Sequence, residues 1–452
     1  MPRVLVVCYP WLPAFNGTVK HAALLVRHLP EAGWDPIVLT ADWDAEAHAP
    51  AAGMALAWPA TDDVPAVRGA GGVTVVRAPF VPLDNRWLRW RAADRAREGG
   101  EAPLHPRRAV RRAVEAAYPL YGDYPDEARG WVVPAVAAGM AAVRQLGIGA
   151  VVSLSLPDSA HVAAGEIARA AGVPWVPIFR GVGSFRADHV AGSSLVSRLQ
   201  RRAVARRWLR GASRAVASSP AMAGHLARYL CVPCDLAMAP LDPEERRLPP
   251  RRVPDAPLRV VHLGAFSPAL PGVDVLLDAL DTLLASEASL AARLRVEFVG
   301  CQCDTALLGR LAGRRAAAVC TVVPCISPAE AVVCQREADV LLTFATDDPL
   351  ASDASALAER LNARRPVIAL GPAGTDLARL LAETKSGEVV EGAPALAAWI
   401  RATLDVLGDR GEVPYAGDES ALTRFGAPEL ARRIGAILDV ASAERFGRWQ
   451  RG

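Results

Sequence analysis

Lysine is nearly missing from this chain: of 51 basic residues, only Lys20 and Lys385 are lysines. Arginine therefore carries almost all the positive charge, a compositional bias before it is a functional signal. The formal net charge of +3 over 452 residues is too small a surplus to point to nucleic acid. Long apolar runs are also lacking. The most apolar stretch, WVVPAVAAGMAAVRQLGIGAVVSLSL from Trp131, contains Pro134, Arg144 and Gln145 and breaks at glycines, which excludes a membrane span. Before PRVLVVCYP there is neither a basic leader nor a small-residue cleavage site, so no secretory signal is expected. No internal repeat or low-complexity segment stands out. No G-x-G-x-x-G fingerprint follows the first strand, which gives dinucleotide cofactors little support. Neither Cys231-x-x-Cys234 nor Cys301-x-Cys303 has a flanking histidine, and the two pairs are far apart. The eight cysteines are therefore read as reduced thiols of a cytoplasmic protein, with no metal site.

What the chain does have is alternation. Short β-branched runs recur between alanine- and leucine-rich stretches of helical character. The strands expected are Val4–Cys8, Pro36–Leu39, Val73–Arg77, Ala150–Leu154, Trp175–Ile178 and Ala215–Ser218, then Arg259–Leu263, Arg295–Val299, Thr321–Pro324, Val340–Thr343, Pro366–Leu370 and Glu388–Val390. Continuous apolar runs separated by helices belong to parallel sheets covered on both faces, which is a doubly wound α/β architecture. The alternation breaks at ERRLPPRRVPDAP, where four prolines and four arginines cannot build a core element. The expected organisation is a first Rossmann-like domain over 1–244, a linker over 245–257, a second such domain over 258–411, and a helical segment over 412–452 that closes the second lobe or crosses back to the first. Ligand is expected in a cleft outside the carboxyl ends of the strands.

Two segments stand outside the alternation. Residues 85–112 mix Trp87 and Trp90 with dense arginine, and residues 195–210, LVSRLQRRAVARRWLR, form a basic amphipathic helix. Basic-aromatic helices lie on anionic membranes, so peripheral membrane contact is one expectation; a solvated arginine-rich face is the other.

Three turns carry candidate chemistry. The first strand ends at Asn16-Gly17, leading into a helix that Thr18 could cap; amides at such a turn approach an anion closely, although a plain connector would look the same. Around SLPDSAHVAAGEIARAAGVPWVPIFRG, His161 stands near a helix start and Arg180 ends a strand, where a guanidinium suits phosphate or carboxylate. A surface or capping role would serve His161 equally. In ALAERLNARRPVIALGPAGTDLARLL, the turn Gly371-Pro372-Ala373-Gly374-Thr375-Asp376 opens a helix whose free amides can hold a diphosphate. Glu359, one strand earlier, could accept hydrogen bonds from the vicinal hydroxyls of a ribose, or serve as an ordinary helix-surface glutamate.

Taken in order, these segments resemble the retaining family-4 glycosyltransferases of the GT-B fold, and the resemblance runs over nearly the whole chain. VLVVCYPWLPAFNGTVKHAALLVRHLPEAGWDPIVLTA is similar to the family's opening strand, glycine turn and helix. YPDEARGWVVPAVAAG, SLPDSAH and PWVPIFRG resemble a subgroup that modifies polysaccharide or lipid-linked sugar precursors. ERLNARRPVIALGPAGTDLARLL is similar to the donor-site segment. The resemblance implies two Rossmann-like domains facing across a cleft, and a nucleotide-sugar bound without metal or cofactor. Glu359 falls on the glutamate that binds the ribose, and Gly371, Gly374 and Thr375 on the turn near the diphosphate. Gly264 falls on the turn after the second domain's first strand, and Asn16 and Gly17 on the N-terminal glycine loop. Arg180 falls beside the reacting sugar, with His161 as second catalytic candidate.

The departures concern charge. The family's first donor-site glutamate falls on Ala351, with Asp348 and Asp353 nearby, and the lysine of that segment falls on Ala356. The turn GAFSPALPG after Leu263 lacks the Arg and Lys that clamp the diphosphate, and the Asp that often follows the subgroup arginine is Gly181. Each missing cation removes about 1.5–3 kcal/mol of charge-assisted hydrogen bonding. Two rivals to a transferase therefore stand: a non-catalytic GT-B relative serving as partner or scaffold, and a nucleotide-sugar epimerase.

Overall fold

The computed structural model of the chain describes residues 1–12, 16–42, 72–80, 125–181, 195–238, 240–247, 256–264, 271–300, 304–324, 326–346, 348 and 354–449. The arginine-rich segment 85–112, Cys301, Cys303, Ala351 and Asp353 lie outside them, as do residues 248–255 of the expected linker.

Among the described residues, thirteen strands form two wholly parallel sheets. The first has the order β3-β2-β1-β4-β5-β6-β7. It comprises β1 (Arg3–Val7), β2 (Asp35–Ala41), β3 (Thr74–Ala78), β4 (Ile148–Leu154), β5 (Trp175–Phe179), β6 (Ala215–Ala217) and β7 (Cys234–Leu236). Its helices are α1 (Gly17–His28), α2 (Val132–Leu146), α3 (Ser159–Ala171), α4 (Leu195–Leu209) and α5 (Pro220–Leu230), counting those of eight residues or more. Val6 pairs with Val38 on one side and Val152 on the other, and Val4 to Cys8 are fully buried. A strand hydrogen-bonded on both edges and covered on both faces needs an unbroken apolar run, and RVLVV supplies one.

The second sheet has the order β10-β9-β8-β11-β12-β13. It comprises β8 (Leu258–Leu263), β9 (Leu294–Val299), β10 (Cys320–Val323), β11 (Val340–Phe344), β12 (Val367–Leu370) and β13 (Gly387–Val390). Its helices are α6 (Pro271–Ser286), α7 (Asp304–Leu311), α8 (Pro328–Glu337), α9 (Ala354–Asn362), α10 (Asp376–Thr384) and α11 (Ala393–Arg410), followed by α12 (Ala427–Trp449). Both orders reverse direction once, between β1 and β4 and between β8 and β11. Such a reversal leaves a crevice outside the carboxyl ends of the two strands.

All twelve expected strands are present, and β7 is the addition. It is a half-exposed three-residue edge strand, too short to read from pattern. Cys231 ends α5 in a left-handed conformation (φ 58°) and Cys234 begins β7, so the C-x-x-C spacing marks a helix stop and a strand start. Likewise α1 is capped by Asn16, whose Oδ1 accepts from the Val19 amide at 2.9 Å, and not by Thr18. The reason is that Thr18 already lies inside the helix, which begins at Gly17.

The chain divides into two compact units. One comprises the described residues up to Ala237 and from Ala431 onward, and the other runs from Met238 to Leu430. The division falls ahead of the proline- and arginine-rich stretch because Leu241 is tied into the second unit. Its amide donates to Phe425 O (2.8 Å) and its carbonyl accepts from Ala427 N (3.0 Å). Within the first unit, Trp34 Nε1 donates to Asp439 Oδ1 of α12 at 3.1 Å, so the C-terminal helix completes that unit.

Candidate functional site

In the first unit, three strand ends and the start of one helix meet at Arg180. Arg180 follows β5 directly. Its amide donates to Ser155 Oγ (3.0 Å) beyond β4, and its carbonyl accepts from Ser218 Oγ (3.4 Å) beyond β6. From there the side chain reaches to the start of α1, where Nη1 donates to Thr18 Oγ1 at 2.7 Å. Gly17 is what makes room: a Cβ there would stand 2.7 Å from Arg180 Nη2. The guanidinium thus lies at the β1/β4 reversal, on the positive end of a helix. A guanidinium at the positive end of a helix concentrates positive charge at one place, to which an anion is attracted.

His21, one turn into α1, is almost wholly buried, and neither ring nitrogen has a hydrogen-bond partner among the described residues. Burial, and then the Arg180 charge, push its pKa down to about 3, so it is neutral at physiological pH. The sequence offered one signal for it, a histidine on the buried stripe of HAALLV.

His161 is placed elsewhere. It is fully buried on α3, with Nδ1 2.7 Å from Ser153 Oγ, which also accepts from Trp175 Nε1 at 2.8 Å. Its ring packs on Phe179, centroids 4.5 Å apart. Burial lowers its pKa to about 3. The ring is thus enclosed in the core against Ser153 and Phe179, whereas a catalytic histidine was expected to face ligand. The amino end of α3 is met by Asp126. Its Oδ2 accepts from Ser159 N (2.9 Å) and its Oδ1 from Ser159 Oγ (2.6 Å), which gives YPDE and LPDS a shared structural purpose.

In the second unit, Glu359 is half-buried on α9 and has no hydrogen bond or ion pair among the described residues. Its neighbour Arg360 is 5% exposed, and its Nη2 donates to Leu263 O at the end of β8 (2.8 Å). Arg364 takes a left-handed conformation (φ 56°) to close α9 before β12.

Gly371 ends β12 at φ +142°, and a Cβ there would lie 2.3 Å from Ala345 O, so no other residue fits. Part of the turn it opens is already occupied by the chain's own side chains. Thr375 caps α10 by accepting from Ala378 N (3.2 Å), Ala373 N donates to Glu391 Oε1 (2.5 Å), and Asp376 occupies the first turn, paired with Arg379. Gly374 adds open space only. Two carboxylates, Glu391 and the Arg379-paired Asp376, therefore stand at the helix start where the glycine-rich turn was expected to hold a diphosphate.

Asp348 donates its amide to Thr346 Oγ1 at the end of β11. Among the described residues, no group of three or more His, Cys, Asp or Glu side chains could hold a metal ion, and no helix is long and apolar enough to cross a membrane.

A scan against protein-family models matches none, and a search of the curated proteins finds no match. Solved structures do match in fold. HepE of Anabaena in complex with UDP-glucose has 12% identity and a TM-score of 0.57, over 97% of this chain and 99% of that one. The N-terminal domain of Candida albicans trehalose-6-phosphate phosphatase gives 11% and 0.59, over 98% and 97%. Sucrose-phosphate synthase from Thermosynechococcus elongatus gives 15% and 0.51, over 100% and 99%. At such identities the likeness is one of fold: two doubly wound parallel sheets in succession, the GT-B arrangement.

Proposed function

We propose that this GT-B chain is a nucleotide-sugar-dependent glycosyltransferase. It would move a sugar, with retention at the anomeric carbon, to a polysaccharide, lipid-linked or small-molecule acceptor. Glu359 carries the reading. A half-buried carboxylate with no partner among the described residues is open to a ligand, and the vicinal hydroxyls of a ribose would donate to both its oxygens. The donor belongs to the second unit. Arg180, in the first unit, is the catalytic candidate for meeting negative charge, on the strength of its place at the start of α1. No metal or cofactor enters this scheme.

Calorimetric titration of the full chain with UDP-, GDP- and dTDP-sugars tests it, and UDP-glucose heads the panel because HepE was solved with it. Binding of one nucleotide class is expected, with a loss of about tenfold or more in Glu359→Gln, the size of one or two charge-assisted hydrogen bonds. No affinity for any of these donors would overturn the reading.

One observation favours the non-catalytic alternative: Glu391 and Asp376 hold the helix start where the diphosphate was expected. If the chain is only a partner of a true transferase, Glu359→Ala leaves the cellular glycan unchanged. A place on the cytoplasmic membrane face is part of the proposal, because α4 exposes Leu199 (55%), Arg202 and Arg206, and Arg210 is exposed just after its end.

A further inference from the structure

If the turn before α10 is closed to a diphosphate by its own carboxylates, the second unit must offer a cation elsewhere. The sheet reverses between β8 and β11, so its crevice lies outside the carboxyl ends of those two strands. The turn after β8, GAFSPALPG, has no basic residue. Arg360 comes to this point from the other direction, off α9. Its Nη2 is held by Leu263 O, the last carbonyl of β8, at 2.8 Å. The preceding strand residue, His262, bridges the reversal, its Nδ1 3.1 Å from Leu342 O of β11, and feels the Arg360 charge. Gly264 follows with φ +105°, and a Cβ there would meet nothing within 4 Å.

We propose that Arg360 pairs with the diphosphate of the donor, taking the place of the basic residues that the β8 turn lacks. The inference rests on the nucleotide-sugar reading above and adds to it the residue that recognises phosphate. One N–H of the guanidinium goes to the Leu263 carbonyl and fixes the plane of the fork. The same planar fork matches two phosphate oxygens. Burial strengthens the pairing, because the charge acts across a medium less polarisable than water. The adjacent pair Glu359-Arg360 then divides the nucleotide between them, carboxylate to ribose and guanidinium to diphosphate.

The test compares affinities of the full chain for a nucleoside diphosphate and for its nucleoside, UDP and uridine first, by calorimetry. Arg360→Gln is expected to weaken UDP binding by about 10–100-fold while uridine stays within about twofold, since only a phosphate contact is lost. Glu359→Gln is expected to weaken both ligands alike. Arg360→Lys keeps the buried charge and decides the matter should the glutamine variant fail to fold; a fall of several-fold in the UDP-to-uridine affinity ratio is expected. Variants that fold and keep the wild-type ratio overturn the assignment of Arg360 and leave the nucleotide-sugar reading standing. A wild-type chain that binds neither UDP nor any other nucleoside diphosphate overturns both.

Discussion

Gly17 and Arg180 show how one missing side chain places another. The helix would gain from alanine at position 17, by up to about 1 kcal/mol, since glycine is the poorer helix former. Against that, a Cβ would press on Arg180 Nη2 and break the bond to Thr18, which is worth about 1 kcal/mol. The two nearly cancel in stability. Gly17→Ala is therefore expected to melt within a few degrees of the wild type while losing at least about tenfold in transfer rate, measured as sugar released from the donor with acceptor present. Unchanged turnover would separate Arg180 from the chemistry. At this scale the sequence was partly legible. Asn16, Gly17, Arg180 and Glu359 stand out by position alone. Arg360 does not, because its meaning depends on which carbonyl its long side chain reaches. His161 misleads for a related reason, since nothing in SLPDSAH tells whether the ring faces ligand or core.

Elements behave more predictably than residues, with exceptions at their ends. Strand positions follow from apolar runs, yet the caps are decided by what lies nearby in space. Asp126 caps α3 from more than thirty residues upstream, and Glu391 fills the turn before α10 from the far end of β13. Both are acidic groups arriving at helix starts that a reading of local sequence leaves open. The helix α4 is the element with the clearest outward task. Ala205 and Leu209 are buried, while Leu199, Arg202 and Arg206 of the helix and Arg210 just after it are exposed. Each arginine near an anionic surface contributes about 1 kcal/mol. Full-length protein is expected to co-sediment with vesicles containing anionic lipid, more weakly at high salt, and Arg202→Glu with Arg206→Glu should lower that binding by more than about tenfold. Absence of wild-type binding to such vesicles would return the face to plain solvent exposure.

On the scale of the whole molecule, the two units differ in how acid should affect them. His21 and His161 in the first, and His262 in the second, are buried with pKa values lowered to about 3, from an ordinary value of 6.5. Unfolded, each takes up a proton near pH 6.5, whereas folded, each resists until far lower pH. The unfolded chain therefore holds more protons below pH 6.5, and stability falls as pH drops from there towards about 3, at about 1.4 kcal/mol per pH unit for each ring. With two such rings against one among the described residues, the first unit should lose stability more steeply than the second. Hydrogen exchange in urea, followed by mass spectrometry from neutral pH to about pH 4, would read each unit separately, and equal losses would contradict the assignment. The division into units was itself half-visible. The prolines and arginines of 245–257 announced a break, but its place was decided by Leu241 pairing with Phe425 and Ala427, and the return of α12 by Trp34 bonding Asp439. By itself, the sequence determined the two parallel sheets, because continuous apolar runs can be buried only between covering layers. Only the tertiary structure decided which charges meet at the ends of those sheets, since long arginine and short carboxylate side chains take their partners from whatever the fold brings within about 3 Å.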